Sequence, residues 1–250
     1  MISFTDAELL NLVTAILLPF FRVLGLFTAA PVLSQRSTPT RVRVGLAFLI
    51  CIIALPGIQT PDIVLGPDLF ALILHEVVVG LTLGFSARVI FAAFEIAGEA
   101  IGLQMGLSFA GFFDPQSGAA NPVARTINLT AVTAFVMLNG PGLLVAGVVA
   151  SFTVIPIGTN YDWFTAASPT QLGTAVFALA LSIALPFMML LLFVNLALGI
   201  MSRVAPQFSV FSVGFPLTIG MGMAMLTFAT PLMDTAVGLA MTLLDQALPA

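Results

Sequence analysis

The stretch from Leu172 to Ile200 constrains the fold more than any other part of the chain, because it contains no charged residue. About 20 apolar residues in a helix cross the hydrocarbon core of a bilayer, and this stretch is longer. The whole chain has the same character, since 60% of its residues are hydrophobic and 7% are charged, against about 25% charged in a soluble domain. The sequence therefore predicts an all-α, polytopic integral membrane protein without a separate soluble catalytic domain.

Apolar stretches separated by short polar loops predict about six hydrophobic helical segments within one membrane domain of residues 1–250. Several of these helices are predicted to be broken by proline or glycine, which membrane helices tolerate when neighbouring groups satisfy the freed carbonyls. The fourth segment is interrupted between Asn139 and Gly142, and the sixth is too long for a single crossing. The predicted segments are 8–33, 44–55, 69–94, 127–155, 172–200 and 208–244.

The placement of charges between these segments predicts an orientation. Most arginines fall at one set of segment ends, and three aspartates fall at the opposite ends. Loops rich in arginine stay on the cytoplasmic side of a membrane. Both termini are therefore predicted to lie outside the cytoplasm. The residues concerned are Arg36, Arg41, Arg43, Arg88, Arg125 and Arg203 on one side, and Asp62, Asp68 and Asp162 on the other.

Residues 95–126 differ from the apolar stretches on both sides and predict a central helical hairpin. Its first half carries small residues four positions apart, a spacing that lets another helix approach closely. Glu95 and Glu99 share that helical face, which is therefore predicted to meet protein or water rather than lipid. An ordinary hairpin between two helices remains the alternative. The small residues are Gly98, Gly102, Gly106 and Ala110.

The second half of the hairpin contains an aromatic cluster, Phe109 with Phe112 and Phe113, followed directly by Asp114 and Pro115. The loop that follows, which includes Gly118, is rich in glycine, serine, asparagine and proline. Such a composition does not continue a regular helix. The sequence thus predicts a polar loop that begins in a group of phenylalanines.

Charged side chains inside apolar segments are the remaining functional signal. Arg22 lies too far from either end of its segment to reach the interface, so it needs a partner or water. Such residues mark a transport path or an interface with another subunit, and the alternative is neutralisation within the chain. The intramembrane set is Arg22, Glu76, Arg88, Glu95 and Glu99.

The sequence lacks the patterns of an enzyme. The only histidine, His75, precedes Glu76, but no second histidine completes a metal-binding HExxH motif. No nucleophile motif and no phosphate-binding loop is present, and no basic run is long enough for nucleic acid. We therefore expect no catalytic activity, no cofactor, no metal and no nucleic-acid partner.

Two long blocks resemble the FliR family of flagellar type III export-gate proteins. The first, Ile101–Pro115, reads IGLQMGLSFAGFFDP, and the second, Asn195–Gly222, reads NLALGIMSRVAPQFSVFSVGFPLTIGMG. The resemblance covers essentially the whole chain. It implies a subunit of the flagellar basal body in the bacterial inner membrane, assembled with FliP and FliQ and joined by FlhB and FlhA. Unfolded flagellar proteins would cross through the channel, and much of the apolar length would pack against other subunits rather than lipid.

The resemblance also implies roles for particular residues. In the family, the loop that matches 106–122 projects into the lumen of the channel and plugs it. Phe109, Phe112 and Phe113 would form the plug, and an aromatic cluster of this kind dewets a narrow channel and blocks ions. The turn that lets the loop move would come from Asp114, Pro115 and Gly118. Contacts between subunits would come from Arg203, Pro206 and Gln207.

Two other functions remain open. A stand-alone, proton-coupled secondary transporter would use Arg88, Glu95 and Glu99 as a proton relay, with the broken helices forming a site at the midplane of the membrane. No internal repeat of the kind such transporters contain is visible in the sequence. A purely structural scaffold of the basal body is the third reading.

Overall fold

The computed structural model describes residues 6–34, 38–58, 67–107, 121–159, 169–205, 213–228 and 230–248. These residues form α-helices and one short 3-10 turn, and they include no strand, which confirms the prediction of an all-α protein. The helices are α1 (Asp6–Ala29), α2 (Thr40–Ala54), α3 (Pro67–Gln104), α4 (Pro122–Met137), α5 (Gly140–Val154), α6 (Pro169–Val204), α7 (Phe215–Phe228) and α8 (Thr230–Ala247). The 3-10 turn, Leu55–Gly57, follows α2 directly.

Helix α3 joins two parts of the chain that the sequence separated. It carries the third predicted segment and the first half of the 95–126 hairpin as one helix of 38 residues. At about 1.5 Å per residue its length is about 57 Å, roughly twice the hydrocarbon thickness of a bilayer. No proline falls between Pro67 and Gln104. Nothing in the local sequence therefore ends the helix where its composition becomes more polar.

The predicted break in the fourth segment is confirmed. Helices α4 and α5 are separated by two residues and bent by 65°. Asn139 adopts a left-handed conformation with φ of 59°, which asparagine tolerates better than most residues. Pro141 occupies the first turn of α5, where its missing N–H would have had no helical partner.

The apolar helices confirm a polytopic membrane protein, although fewer of them qualify as complete spans than the six segments suggested. Three described helices are long and apolar enough to cross a bilayer, and the bent pair α4 and α5 raises the number to four if it forms one span. The apolar parts of α1 and α7 are shorter. The three qualifying helical stretches are Thr40–Gly57, Leu69–Gln104 and Thr170–Val204.

The described residues divide into two compact units. Unit 1 contains α1, α2, the first part of α3, and α5, together with the end of α8. Unit 2 contains the last part of α3 together with α4, almost all of α6, α7 and most of α8. The boundary on α3 lies between Ile90 and Phe91. Each unit holds one group of the polar residues that the sequence singled out.

Candidate functional site in two polar clusters

Glycines let α1 and α3 pack backbone against backbone in unit 1. A Cβ added at Gly25 would lie 2.8 Å from the carbonyl oxygen of Val77, and one at Gly84 would lie 2.7 Å from that of Leu26. A Cβ added at Gly80 would overlap the backbone carbonyl oxygen of Arg22. Small residues at such a seam are the usual means of close helix packing in membranes. The seam brings the side chains next to it into direct contact.

Arg22 and Glu76 form an ion pair beside this seam. Nε of Arg22 donates to Oε2 of Glu76 over 2.6 Å, and both side chains are fully buried. Glu76 precedes Gly80 by four residues, so it lies on the same face of α3, one turn closer to the N-terminus of the helix. Its other oxygen, Oε1, is 3.5 Å from Nδ1 of His75.

One terminal nitrogen of the Arg22 guanidinium, Nη1, is directed at the end of α5. Nη1 donates to the carbonyl oxygens of Ser151 and Ile155, both over 3.0 Å, and to Oγ of Ser151 over 3.1 Å. Carbonyls at the C-terminal end of a helix carry partial negative charge, and that of Ser151 also accepts the N–H of Ile155 over 2.8 Å. The guanidinium carbon also lies 4.3 Å from the ring centroid of Phe152, within range of a cation–π contact. Arg22 therefore ties α1 to both α3 and α5.

The contacts of Arg22 show how its charge is neutralised. The prediction that Arg22 requires a partner is confirmed, and the partner is Glu76 inside the same unit. Their mutual burial leaves neither charge available to a neighbouring subunit. Sequence reasoning missed Ser151 and Ile155, because their acceptors are mostly backbone carbonyls that any residue would supply.

In unit 2, α3 ends in a defined capping motif at the start of the central loop. The N–H of Leu107 donates to the carbonyl of Gly102, and the N–H of Gly106 donates to that of Leu103, both over 3.0 Å. This pair of bonds is the Schellman arrangement, in which the residue after the cap has positive φ. Gly106 has φ of 82°. The expectation that Gly106 continues the helical face of Gly98 and Gly102 is therefore wrong, because the helix has already ended.

Helix α4 begins with an N-cap formed by the side chain of Asn121. Oδ1 of Asn121 accepts a hydrogen bond from the N–H of Val123 over 3.0 Å, the usual geometry of an asparagine N-cap. Pro122 follows at the first helical position, which favours proline. This Asn-Pro pair is a helix-start signal that is visible in the sequence itself.

The two ends of the central loop pack against each other through glycines. A Cβ at Gly98 would overlap Cα of Ala124, and one at Gly102 would overlap the side chain of Asn121. Nδ2 of Asn121 donates to the carbonyl of Gly98 and to Oε2 of Glu99, both over 3.3 Å. The predicted close approach at Gly98 and Gly102 is confirmed. It occurs at the loop base, between the last turns of α3 and the first turn of α4.

Helix α7 completes the loop base. Oγ1 of Thr218 donates to the carbonyl of Met105 over 3.1 Å, and a Cβ at Gly222 would overlap the side chain of Met105. Met105 belongs to the first of the two resemblance blocks, and Thr218 and Gly222 belong to the second. The fold thus brings together two stretches that are separated in the chain by the whole of α4 and α5 and by most of α6.

Apart from Glu99, which accepts the hydrogen bond from Asn121, the other predicted site residues lie away from these contacts or outside the described residues. Arg88 is exposed on the part of α3 that belongs to unit 1, and Arg203 is exposed in the last turn of α6. Glu95 and Glu99 are exposed on α3 in unit 2. The predicted residues outside the described ranges are Phe109, Phe112, Phe113, Asp114, Pro115, Gly118, Pro206 and Gln207.

Asn121→Ala should lower the free energy of unfolding by about 1 kcal/mol, the usual cost of losing an asparagine N-cap. Asn121→Asp should cost less, because a carboxylate still accepts the hydrogen bond from Val123 although it repels Glu99. Denaturant titration of the purified protein in detergent measures both effects. Equal stability of Asn121→Ala and the unmodified protein would contradict the capping role.

The fold and these two clusters define an integral membrane protein whose polar residues hold helices and the base of a loop in place. The family described as "Bacterial export proteins, family 1" matches residues 13–243. The chain is 41% identical over 238 residues to the flagellar biosynthetic protein FliR of Escherichia coli (strain K12), with 93% of this chain and 90% of the relative covered.

Similar relatives come from other bacteria. The FliR protein of Pectobacterium carotovorum subsp. carotovorum is 39% identical over 93% of this chain and 90% of its own length. That of Bacillus subtilis (strain 168) is 34% identical over 88% of this chain and 87% of its own length. The chain therefore belongs to the FliR family, which is a family of bacterial export proteins.

Proposed function

We propose that this chain is a non-enzymatic subunit of the flagellar protein export gate in the bacterial inner membrane. It assembles with FliP and FliQ into the channel through which unfolded flagellar proteins leave the cytoplasm, and FlhB and FlhA join that assembly. The single observation that carries the proposal is the match of residues 13–243 to a family of bacterial export proteins. Energy for export comes from outside this subunit.

The segment between Gly106 and Asn121 closes the lumen of the channel in this proposal. The structure of its base supports that role, because both ends of the segment are anchored to one another. The Schellman motif at Gly106 ends one helix, and the cap at Asn121 starts the next. A closed base holds the two ends of the segment together, so that cargo could displace the segment without separating the helices that carry it.

The outward surface of the helices supports assembly with other membrane subunits. Large apolar side chains on α6 are strongly exposed, for example Phe177 at 67% and Phe193 at 69%. Exposed apolar area on this scale marks contact with lipid or protein rather than water. The described helices therefore present a surface suited to neighbouring apolar helices within a bilayer.

Replacing Phe109, Phe112 and Phe113 together with alanine should raise ion leakage through the assembled gate severalfold, because smaller side chains no longer dewet the lumen. Conductance of membranes that contain the assembled complex measures this effect. The matched control is Phe70→Ala with Phe85→Ala, which removes two exposed phenylalanines of α3 outside the loop.

Co-purification with FliP and FliQ shows that each variant has assembled. An assembled triple variant that conducts no more than the control would contradict the closing role of the loop. A chain that purifies alone as a stable monomer from cells expressing all gate genes would contradict membership of the gate itself.

A further inference from the structure

A pocket of about 300 Å³ opens in unit 2 between the last part of α3 and the first turns of α4. Its volume is at the lower end of the range for small ligand sites, and it is sufficient for one long side chain. The pocket adjoins the loop base and shares Glu99 and Ala124 with it. Its lining residues are Glu95, Glu99, Ala124, Arg125, Asn128 and Leu129.

The charges in this pocket do not balance. Two carboxylates, of Glu95 and Glu99, face one guanidinium, of Arg125, which leaves a formal charge of −1. Within the described residues, no ion pair involves any of these three side chains. Among the residues that the structure describes, the hydrogen bond that these three side chains receive is the one from Asn121 to Glu99, over 3.3 Å. The pocket is thus open to a further cation.

The surroundings of the pocket are apolar. Ile96 and Leu103 flank Glu99 on α3 at three and four residues' distance, and they are 37% and 61% exposed. Leu129 on α4 lines the pocket itself and is 57% exposed. Carboxylates are costly against acyl chains, and large apolar side chains in a group are poorly covered by water. Neither lipid nor water therefore matches this surface.

We propose that the pocket receives a lysine or arginine side chain from an apolar helix of another protein chain. The cation would neutralise the excess negative charge, and an arginine fork would bind carboxylate oxygens through paired hydrogen bonds. The apolar remainder of the partner helix would cover Ile96, Leu103 and Leu129. Interfaces of this type combine a desolvated central charge with apolar surroundings.

The inference rests on the proposed function in one respect, which is that the other chain would be a subunit of the export gate. The chemistry of the pocket specifies a basic residue on an apolar helix, whichever subunit carries it. The two ideas can therefore fail separately.

A photoreactive benzoylphenylalanine at Leu129 tests the proposal in membranes of cells that express the complete set of export-gate genes. Mass spectrometry of the crosslinked peptide should identify a helical segment that contains a lysine or arginine. Glu95→Gln with Glu99→Gln should lower the yield of this crosslink at least tenfold. The matched control, Asp234→Asn with Asp245→Asn, removes two exposed carboxylates from α8 and should leave the yield unchanged.

Arg125→Gln provides a test in the opposite direction. It removes the resident cation and leaves two carboxylates for the partner, so the crosslink yield should rise at least twofold. A purely structural role of the cluster would predict a fall instead. This variant also decides the question if the doubly neutralised protein fails to accumulate in the membrane.

Exchange of charges completes the experiment. Glu99→Arg alone should abolish the crosslink, and changing the identified basic residue of the partner to glutamate should restore at least half of it. The proposal is overturned by a crosslink only to lipid, by a partner segment without a basic residue, or by no response to Glu95→Gln with Glu99→Gln. A charge-dependent crosslink to a membrane protein outside the export gate would instead contradict the proposed function and leave the pocket assignment intact.

Discussion

Arg22→Met is expected to lower the free energy of unfolding by about 3–5 kcal/mol, the usual cost of leaving one partner of a buried ion pair without its counter-charge. Glu76 would remain fully buried without the guanidinium, and its nearest remaining polar side chain would be His75, whose Nδ1 lies 3.5 Å from Oε1. The carbonyls of Ser151 and Ile155 would also lose their shared donor. Denaturant titration in detergent and the amount of protein in the membrane both measure the loss.

The double variant Arg22→Met with Glu76→Met should recover about half of this loss. Replacing both members of a buried pair by apolar residues of similar size is often close to neutral, but the carbonyl of Ile155 loses the donor Nη1 of Arg22, whereas that of Ser151 keeps the N–H of Ile155. Arg88→Met is the matched control, since Arg88 is exposed and forms no ion pair within the described residues. Its effect should stay within about 0.5 kcal/mol. Equal effects of Arg22→Met and Arg88→Met would contradict the structural role of the pair.

Gly80→Ala is expected to have the second large effect. Its Cβ would occupy the position of the Arg22 carbonyl oxygen, and a backbone atom within a helix has no rotamer by which to move aside. Helix α1 would have to shift away from α3, which would also stretch the ion pair beside it. Overpacking of this kind costs about 1–3 kcal/mol, and the strained ion pair should place this variant at the upper end.

Gly173→Ala is the control for that substitution. Nothing lies within 4 Å of a Cβ added there, so alanine should be neutral or stabilising through its better helix propensity, by up to about 1 kcal/mol. Both variants are compared by the same denaturant titration and by the yield of folded protein. A Gly80→Ala protein as stable as Gly173→Ala would show that the α1 and α3 backbones are not in close contact.

The class of the protein and most helix locations were predictable because they depend on local composition. Apolar stretches longer than a bilayer requires specify membrane helices wherever they occur. The break at Asn139 was predictable for the same reason, since an Asn-Gly-Pro-Gly sequence cannot remain in a straight helix. The close approach at Gly98 and Gly102 followed from their four-residue spacing.

The sequence did not predict which helix packs against each pair of glycines. A four-residue glycine spacing shows that some helix approaches, but the same pattern at Gly80 and Gly84 serves α1 whereas that at Gly98 and Gly102 serves α4. Gly106 fits the same spacing and lies beyond the end of the helix. The end of α3 is set by the capping hydrogen bonds to the carbonyls of its last turn. The spacing of small residues in the sequence contains no information about these bonds.

The amino-acid sequence by itself determined that this chain is an all-helical membrane protein, that a charge at Arg22 needs a partner, and that a glycine-lined segment precedes a polar loop. Only the tertiary structure decided that Arg22 is neutralised by Glu76 and α5 inside the chain, while Glu95, Glu99 and Arg125 line a pocket with unbalanced charge. The physical reason is that the cost of burying a charge is a property of the residue. Whether another residue offsets that cost depends on distances between helices that are far apart in the chain.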